Sequence, residues 1–275
     1  METNALLQKF INEYYRKSSL WQRWSLAFRL ILYVVGIASI FFTSSPPYTP
    51  IAVACMSVVV EIILWRSDFL RGKAEEIKRV HEYSDGFGII PSGTEIACLR
   101  VGLGKNESQE ISEGLKYYSN EVASPLRTLK NLHESSWFSW DLAKCSGYLM
   151  LGYGSLLVIA GLVIASLAPF LSDDLSMIQM ISHTATALVL AIFSLGILRR
   201  GVELLSFSKE SENIASRAEQ LWVSTTPTAL EVCRLLGEYQ TIRAQAPALI
   251  PFLWKMKRNK LDQIYQYSFP NTSHV

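Results

Sequence analysis

The chain has 275 residues, a net charge of +2 and a mean hydropathy of +0.19. So small a net charge excludes the strong basic field of a nucleic-acid-binding protein, and the hydropathy implies apolar stretches separated by polar ones. Four cysteines (Cys55, Cys98, Cys145, Cys233) show neither a CxxC spacing nor a cluster with histidine, so no metal and no cofactor is expected.

Residues 1–25 are polar and charged, contain no cleavable signal pattern, and are expected to form a cytoplasmic N-terminal helix. Two apolar runs follow, 26–43 and 50–65, joined by the charge-free turn Ser44-Ser45-Pro46-Pro47-Tyr48-Thr49. They are short for crossing a hydrocarbon core, which takes about 20 residues. Trp21, Trp24 and Trp65 at their ends are suited to anchor them at a bilayer interface. Arg29 in the first run and Glu61 in the second fall at similar depth in such a hairpin. They either pair or each snorkel to the nearby boundary.

Residues 66–145 form a charged region expected to be a cytoplasmic helical bundle. Leu70, Ala74, Ile77 and Val80 make one stripe at helical spacing. Residues 86–104 read as a glycine-containing loop with a short segment, without the Gly-Lys-Ser/Thr of a phosphate loop. Residues 107–133 read as an amphipathic helix that Pro125 would kink. Trp137 and Trp140 precede the next run as a second pair of interfacial aromatics.

The third and fourth runs, 146–171 and 176–198, are long enough to span, and the turn 172–175 joins them. Gly154, Gly161 and Ala165, with Ala187 and Ala191, offer small faces for close helix contact. His183 is an intramembrane polar group near the outer end of the fourth run. Of the 26 Lys and Arg, all but Arg29 fall outside the four runs, and the two hairpin tips carry none. The bias predicts four spans in two hairpins, 26–65 and 146–198, with tips outside and both termini cytoplasmic. Ser18-Ser19 followed by Trp21 and Trp24, and Ser135-Ser136 followed by Trp137 and Trp140, suggest that the hairpins are parallel copies. The expected fold class is an all-α integral membrane protein, its two hairpins extended by the cytoplasmic bundle.

Residues 199–275 are expected to complete that bundle. Leu204, Phe207, Ile214, Ala218 and Leu221 form a heptad-like stripe with Ser211 as its polar gap, on a helix continuing from the fourth run without a breaker. Thr226-Pro227 reads as a helix start that places Leu230, Cys233, Leu236 and Tyr239 on one face. Beyond Pro247 and Pro251, the basic amphipathic segment 252–267 either lies on the inner membrane surface or packs against the bundle.

No HExxH, GxSxG, P-loop or GxGxxG is present, and His81-Glu82 and His133-Glu134 read as solvated surface pairs, so no enzyme is expected. The layout, with Leu20-Trp21-Gln22-Arg23-Trp24 before the first run and Arg243, Pro247, Pro251, Trp254 and Arg258 in the tail, resembles the SMODS-associating four-transmembrane proteins of bacteria. That resemblance implies an inner-membrane effector of anti-phage defence. Such an effector senses a cytoplasmic signal, a cyclic nucleotide or a partner protein, and permeabilises the membrane as a homo-oligomer. A membrane-anchored scaffold for a cytosolic partner and a small channel or transporter are the alternatives.

Overall fold

The computed structural model describes residues 2–41, 49–100, 122–171, 176–179, 181, 184–185, 196–224 and 226–269. Among them the regular elements are helices: α1 Glu2–Phe41, α2 Thr49–Phe87, α3 Gly93–Arg100, α4 Pro125–Leu171, α5 Ile197–Ser224, α6 Ala229–Gln245 and α7 Pro251–Ser268. Helices α1, α2 and α4 run unbroken through residues 25–26, 65–66 and 145–146, where polar sequence meets apolar. A helix satisfies its backbone internally, so it tolerates that change of surroundings.

The chain divides into two compact units. The first, here the helical unit, comprises Met1–Lys17, Leu70–Ser146 and Leu204–Val275. Among the described residues, buried apolar side chains gather in three clusters. Leu7, Phe10, Ile11 and Tyr14 of α1 pack with Leu70, Ala74 and Ile77 of α2. Leu129 and Leu132 of α4 pack with Ile214 and Ala218 of α5 and with Val232, Leu235, Leu236 and Tyr239 of α6. Phe138 and Leu142 of α4 pack with Leu261 and Tyr265 of α7. Each large aliphatic side chain so buried contributes about 1.5–3 kcal/mol.

The second, here the apolar unit, comprises Ser18–Phe69 and Gly147–Glu203. Many of its apolar residues point outward. Leu26, Leu30, Ile31 and Val34 of α1, Val58, Val59 and Ile62 of α2, and Leu149, Leu156, Ile159 and Leu162 of α4 are all exposed. Inside it, Ser18 and Ser67 form a reciprocal clasp, each hydroxyl donating to the other residue's carbonyl at 2.9 and 3.0 Å. Helices α4 and α5 approach through glycine. A Cβ on Gly154 would meet Leu198 at 2.7 Å, and one on Gly201 would meet Leu151 at 2.7 Å. Among the described residues one helix, Pro125–Ile164, is long and apolar enough to cross a membrane, with a mean hydropathy of 2.0 in its apolar window. Runs 26–43 and 50–65 are shorter and hold Arg29 and Glu61. Much of 176–198 lies outside the described residues, His183, Ala187 and Ala191 included.

Several local expectations change. Pro125 starts α4 rather than kinking a longer helix. Its fixed φ suits the first turn, and the Ser124 hydroxyl accepts from the Arg127 amide at 3.2 Å. The earlier part of that expected helix, 107–121, lies outside the described residues. Helix α6 begins two residues later than Thr226-Pro227 suggests, because Thr228 forms a reciprocal capping box with Glu231. Leu230 faces outward, and Val232 and Leu235 are buried with Leu236 and Tyr239, because each step of three residues falls about 60° short of a full turn and leaves Leu230 opposite Tyr239. Finally, Gly196 takes a left-handed φ of 63° just before α5, so the helix over 197–224 starts at a turn.

Glycine substitutions separate close approach from mere helix cost. A Cβ on Gly86 would clash with the Thr128 hydroxyl, whereas one on Gly72 meets nothing within 4 Å. We expect Gly86→Ala to destabilise the protein by about 1–3 kcal/mol through overpacking. Gly72→Ala should stabilise it by about 0.5–1 kcal/mol through helix propensity. Thermal unfolding followed by circular dichroism in detergent measures both.

Candidate functional site

Positions 75, 78, 82 and 85 of α2 recur every three to four residues and so share one face. They carry Glu75, which is buried, and Lys78, Glu82 and Asp85, which are half-buried, toward the interior of the helical unit. Helix α6 brings Gln240 and Arg243, one turn apart, to the same place. The Arg243 guanidinium, only 7% exposed, donates from Nε to Glu75 at 2.8 Å and from Nη1 to Glu82 at 2.6 Å. A third bond, from Nη2, reaches the other Glu82 oxygen at 3.2 Å. Gln240 donates to Glu82 at 2.9 Å, and the Tyr15 hydroxyl of α1 donates to Glu75. The guanidinium also lies 5.2 Å over the Tyr239 ring. Arg71, one turn before Glu75, donates to the Ala246 carbonyl at the end of α6.

The fork of Arg243 matches two carboxylates at once, which an ammonium could not do. Burial by itself raises the pKa of Glu75 and Glu82, but Arg243 and Lys78 outweigh it and hold both below the ordinary carboxylate value. Burial lowers and the two carboxylates raise Arg243, with the carboxylates prevailing. Burial, then the positive Arg243, lowers Lys78. Next along α2, Arg127 of α4 donates to Asp85 at 2.9 Å. A cavity of about 20 Å³ adjoins this layer, lined by Glu82, Asp85, Thr128, Asn131, Ser135 and Tyr239 among others. It has room for about one water and none for an organic ligand.

Expected site residues fall in several places. Arg243 is the centre of the cluster just described. Pro247 follows the last turn of α6, where it holds Ala246 extended and stops the helix. Pro251 opens α7. Trp254 packs edge-on to Phe138 at 6.1 Å, and the Arg258 guanidinium lies 5.6 Å over the Trp254 ring. Arg29 and Glu61 approach to 3.4 Å within the apolar unit. Trp21, Trp24 and Trp65 are exposed in that unit. Trp137 belongs to the helical unit and packs against Phe138 and Tyr265, with Trp140 6.3 Å away.

The two His-Glu pairs are not solvated surface: His81, His133 and Glu134 are buried and Glu82 is half-buried, because other elements pack over them. His81 is inside the helical unit, and Glu82 is in the Arg243 cluster. His133 is enclosed by Trp222, Tyr265 and Phe269, and its Nδ1 lies 2.8 Å from the Tyr265 hydroxyl. Burial brings its pKa down to about 4, so the ring is neutral.

An open groove of about 450 Å³ between α5 and α6 is lined by Arg217, Gln220, Leu221, Glu231, Arg234 and Leu235. Glu238 holds Arg217 at 2.7 Å, and Glu231 is engaged by Thr228, so little net field remains there. The chain matches no family model, no curated protein and no solved structure.

Removing one partner of a buried ion pair strands the others. Arg243→Met should therefore destabilise the protein by about 3–5 kcal/mol, and Arg243→Lys should recover only part of that. Adding Glu75→Gln and Glu82→Gln to Arg243→Met should restore much of the loss, which thermal melts of the single and combined variants test.

The histidines set a pH dependence. A folded pKa depressed below the unfolded 6.5 means that the unfolded chain binds protons first, so stability falls as pH drops from 6.5 towards 4. His133 contributes up to about 3 kcal/mol of that slope. His133→Phe should flatten the melting temperature across this window and leave the share of His81. Below pH 4.5 the depressed Glu75 and Glu82 add a further loss.

Proposed function

We propose that this chain is a four-span membrane protein that acts as an oligomeric effector, its helical unit receiving a cytoplasmic signal and its apolar unit permeabilising the bilayer. The observation that carries the membrane reading is the inverted packing of the apolar unit. Val34 is 67% exposed and Leu156 64% exposed, while Ser18 and Ser67 are turned inward. Such a surface is stable in hydrocarbon and costly in water. The Lys and Arg bias of the sequence supports cytoplasmic termini. The close approaches at Gly154 and Gly201 support helix packing without a hydrophobic drive.

The effector role draws on the resemblance to the SMODS-associating four-transmembrane proteins. A few spans enclose no wide path, so permeabilisation requires several copies. A cytosolic anti-phage signal, a cyclic nucleotide or a partner protein, would act on the helical unit. The reading as a membrane-anchored scaffold draws on Val223 and Leu230, both strongly exposed in the helical unit, which suit a protein partner.

Reporter enzymes inserted at positions 47 and 174 should be active outside the inner membrane, and one fused after position 275 should not. Cells in which the chain is activated should lose membrane potential, and the detergent-purified protein should migrate as a multimer. A cytosolic reporter at position 47 or 174 rejects the membrane topology. Intact potential under full activation rejects the effector role and leaves the scaffold.

A further inference from the structure

Helix α7 has two faces, and the helical unit uses one of them. Leu253, Leu261 and Tyr265 are buried, and Lys257 is drawn in by Asp141 of α4. At 100° per residue the opposite face is centred on Phe252, Met256, Asn259, Gln263 and Tyr267. Phe252 is 68%, Met256 60% and Tyr267 90% exposed. Exposed Lys255 and Lys260 fall on either side of this stripe. The helix carries Lys255, Lys257, Arg258 and Lys260 against Asp262 alone. An apolar ridge with amides along it and a cation on each flank is the pattern of a helix lying in a bilayer interface. Ring and thioether sink below the headgroups while the lysine stems reach up to them.

We propose that this outer face of α7 seats on acidic phospholipid, with Phe252, Met256 and Tyr267 inserted and Lys255 and Lys260 on the anionic headgroups. The charge complementarity favours an acidic membrane surface over a protein partner. In a chain held at a bilayer that surface is present at high local concentration. The inference rests on the membrane reading above, and its test distinguishes the two.

The unaltered full-length chain is placed in nanodiscs of phosphatidylcholine alone or with phosphatidylglycerol added, and lysine acylation is read by mass spectrometry. Lys255 and Lys260 should react about fivefold more slowly in the acidic discs, while exposed Lys209 of α5 should not change. A Phe252→Asp, Met256→Asp chain should lose that difference. Equal reactivity of Lys255 in the two discs, from a chain that has entered both, overturns the proposal and leaves the membrane reading intact. Protection already complete in detergent, on a particle of multiple mass, overturns it in favour of a contact between copies. A chain that stays soluble and enters neither disc overturns both.

Discussion

The buried Arg243 guanidinium joins three helices of the helical unit. It sits at the C-terminal end of α6 with three bonds to Glu75 and Glu82 of α2, and Glu75 in turn accepts from Tyr15 of α1. Helices from distant parts of the sequence thus share one charge-balanced group. A buried ion set of this kind adds little net stability against an apolar core of equal volume. It penalises every arrangement that separates its members. Three apolar clusters supply the stabilisation, and Arg243 determines which helix faces come together, because a shift of one residue in α6 would strand two carboxylates.

The apolar unit inverts this logic. Its polar groups, Ser18, Ser67 and the Arg29–Glu61 pair, meet one another, while many of its aliphatic side chains face outward. The outward residues lie on the same helices, α1, α2 and α4, that elsewhere bury their apolar side chains. One continuous helix can serve in both settings because its backbone needs no partner outside itself. What changes along it is the side-chain pattern. Gly154 and Gly201 let α4 and α5 approach, since a Cβ at either would meet a leucine side chain at 2.7 Å.

Chemistry offers less. Each acid in the Arg243 cluster is engaged by a cation, the adjoining cavity has room for about one water, and the open groove by Arg217 and Arg234 is crossed by carboxylates.

Residue order alone made the helices and several of their inner stripes legible. Leu70, Ala74 and Ile77, and Leu204 to Ala218, stand out because helical periodicity is local and each stripe repeats within its own element. The apolar runs and the placement of Lys and Arg were readable for the same reason. That Glu75, Glu82, His81 and His133 are inside emerged only from packing. Their partners lie far along the chain, Arg243 being 168 residues from Glu75, and a charged residue reads as surface until its counter-charge is seen. In α6 the three-residue spacing of Leu230, Cys233, Leu236 and Tyr239 drifts around the helix, and only packing showed that Val232 and Leu235 belong to the inner face while Leu230 points outward. The basic tail allowed two readings from one pattern. The folded chain shows one face of α7 packed on α4 through Leu261 and Tyr265 and the opposite face exposed, because a helix against a neighbour covers only part of its circumference.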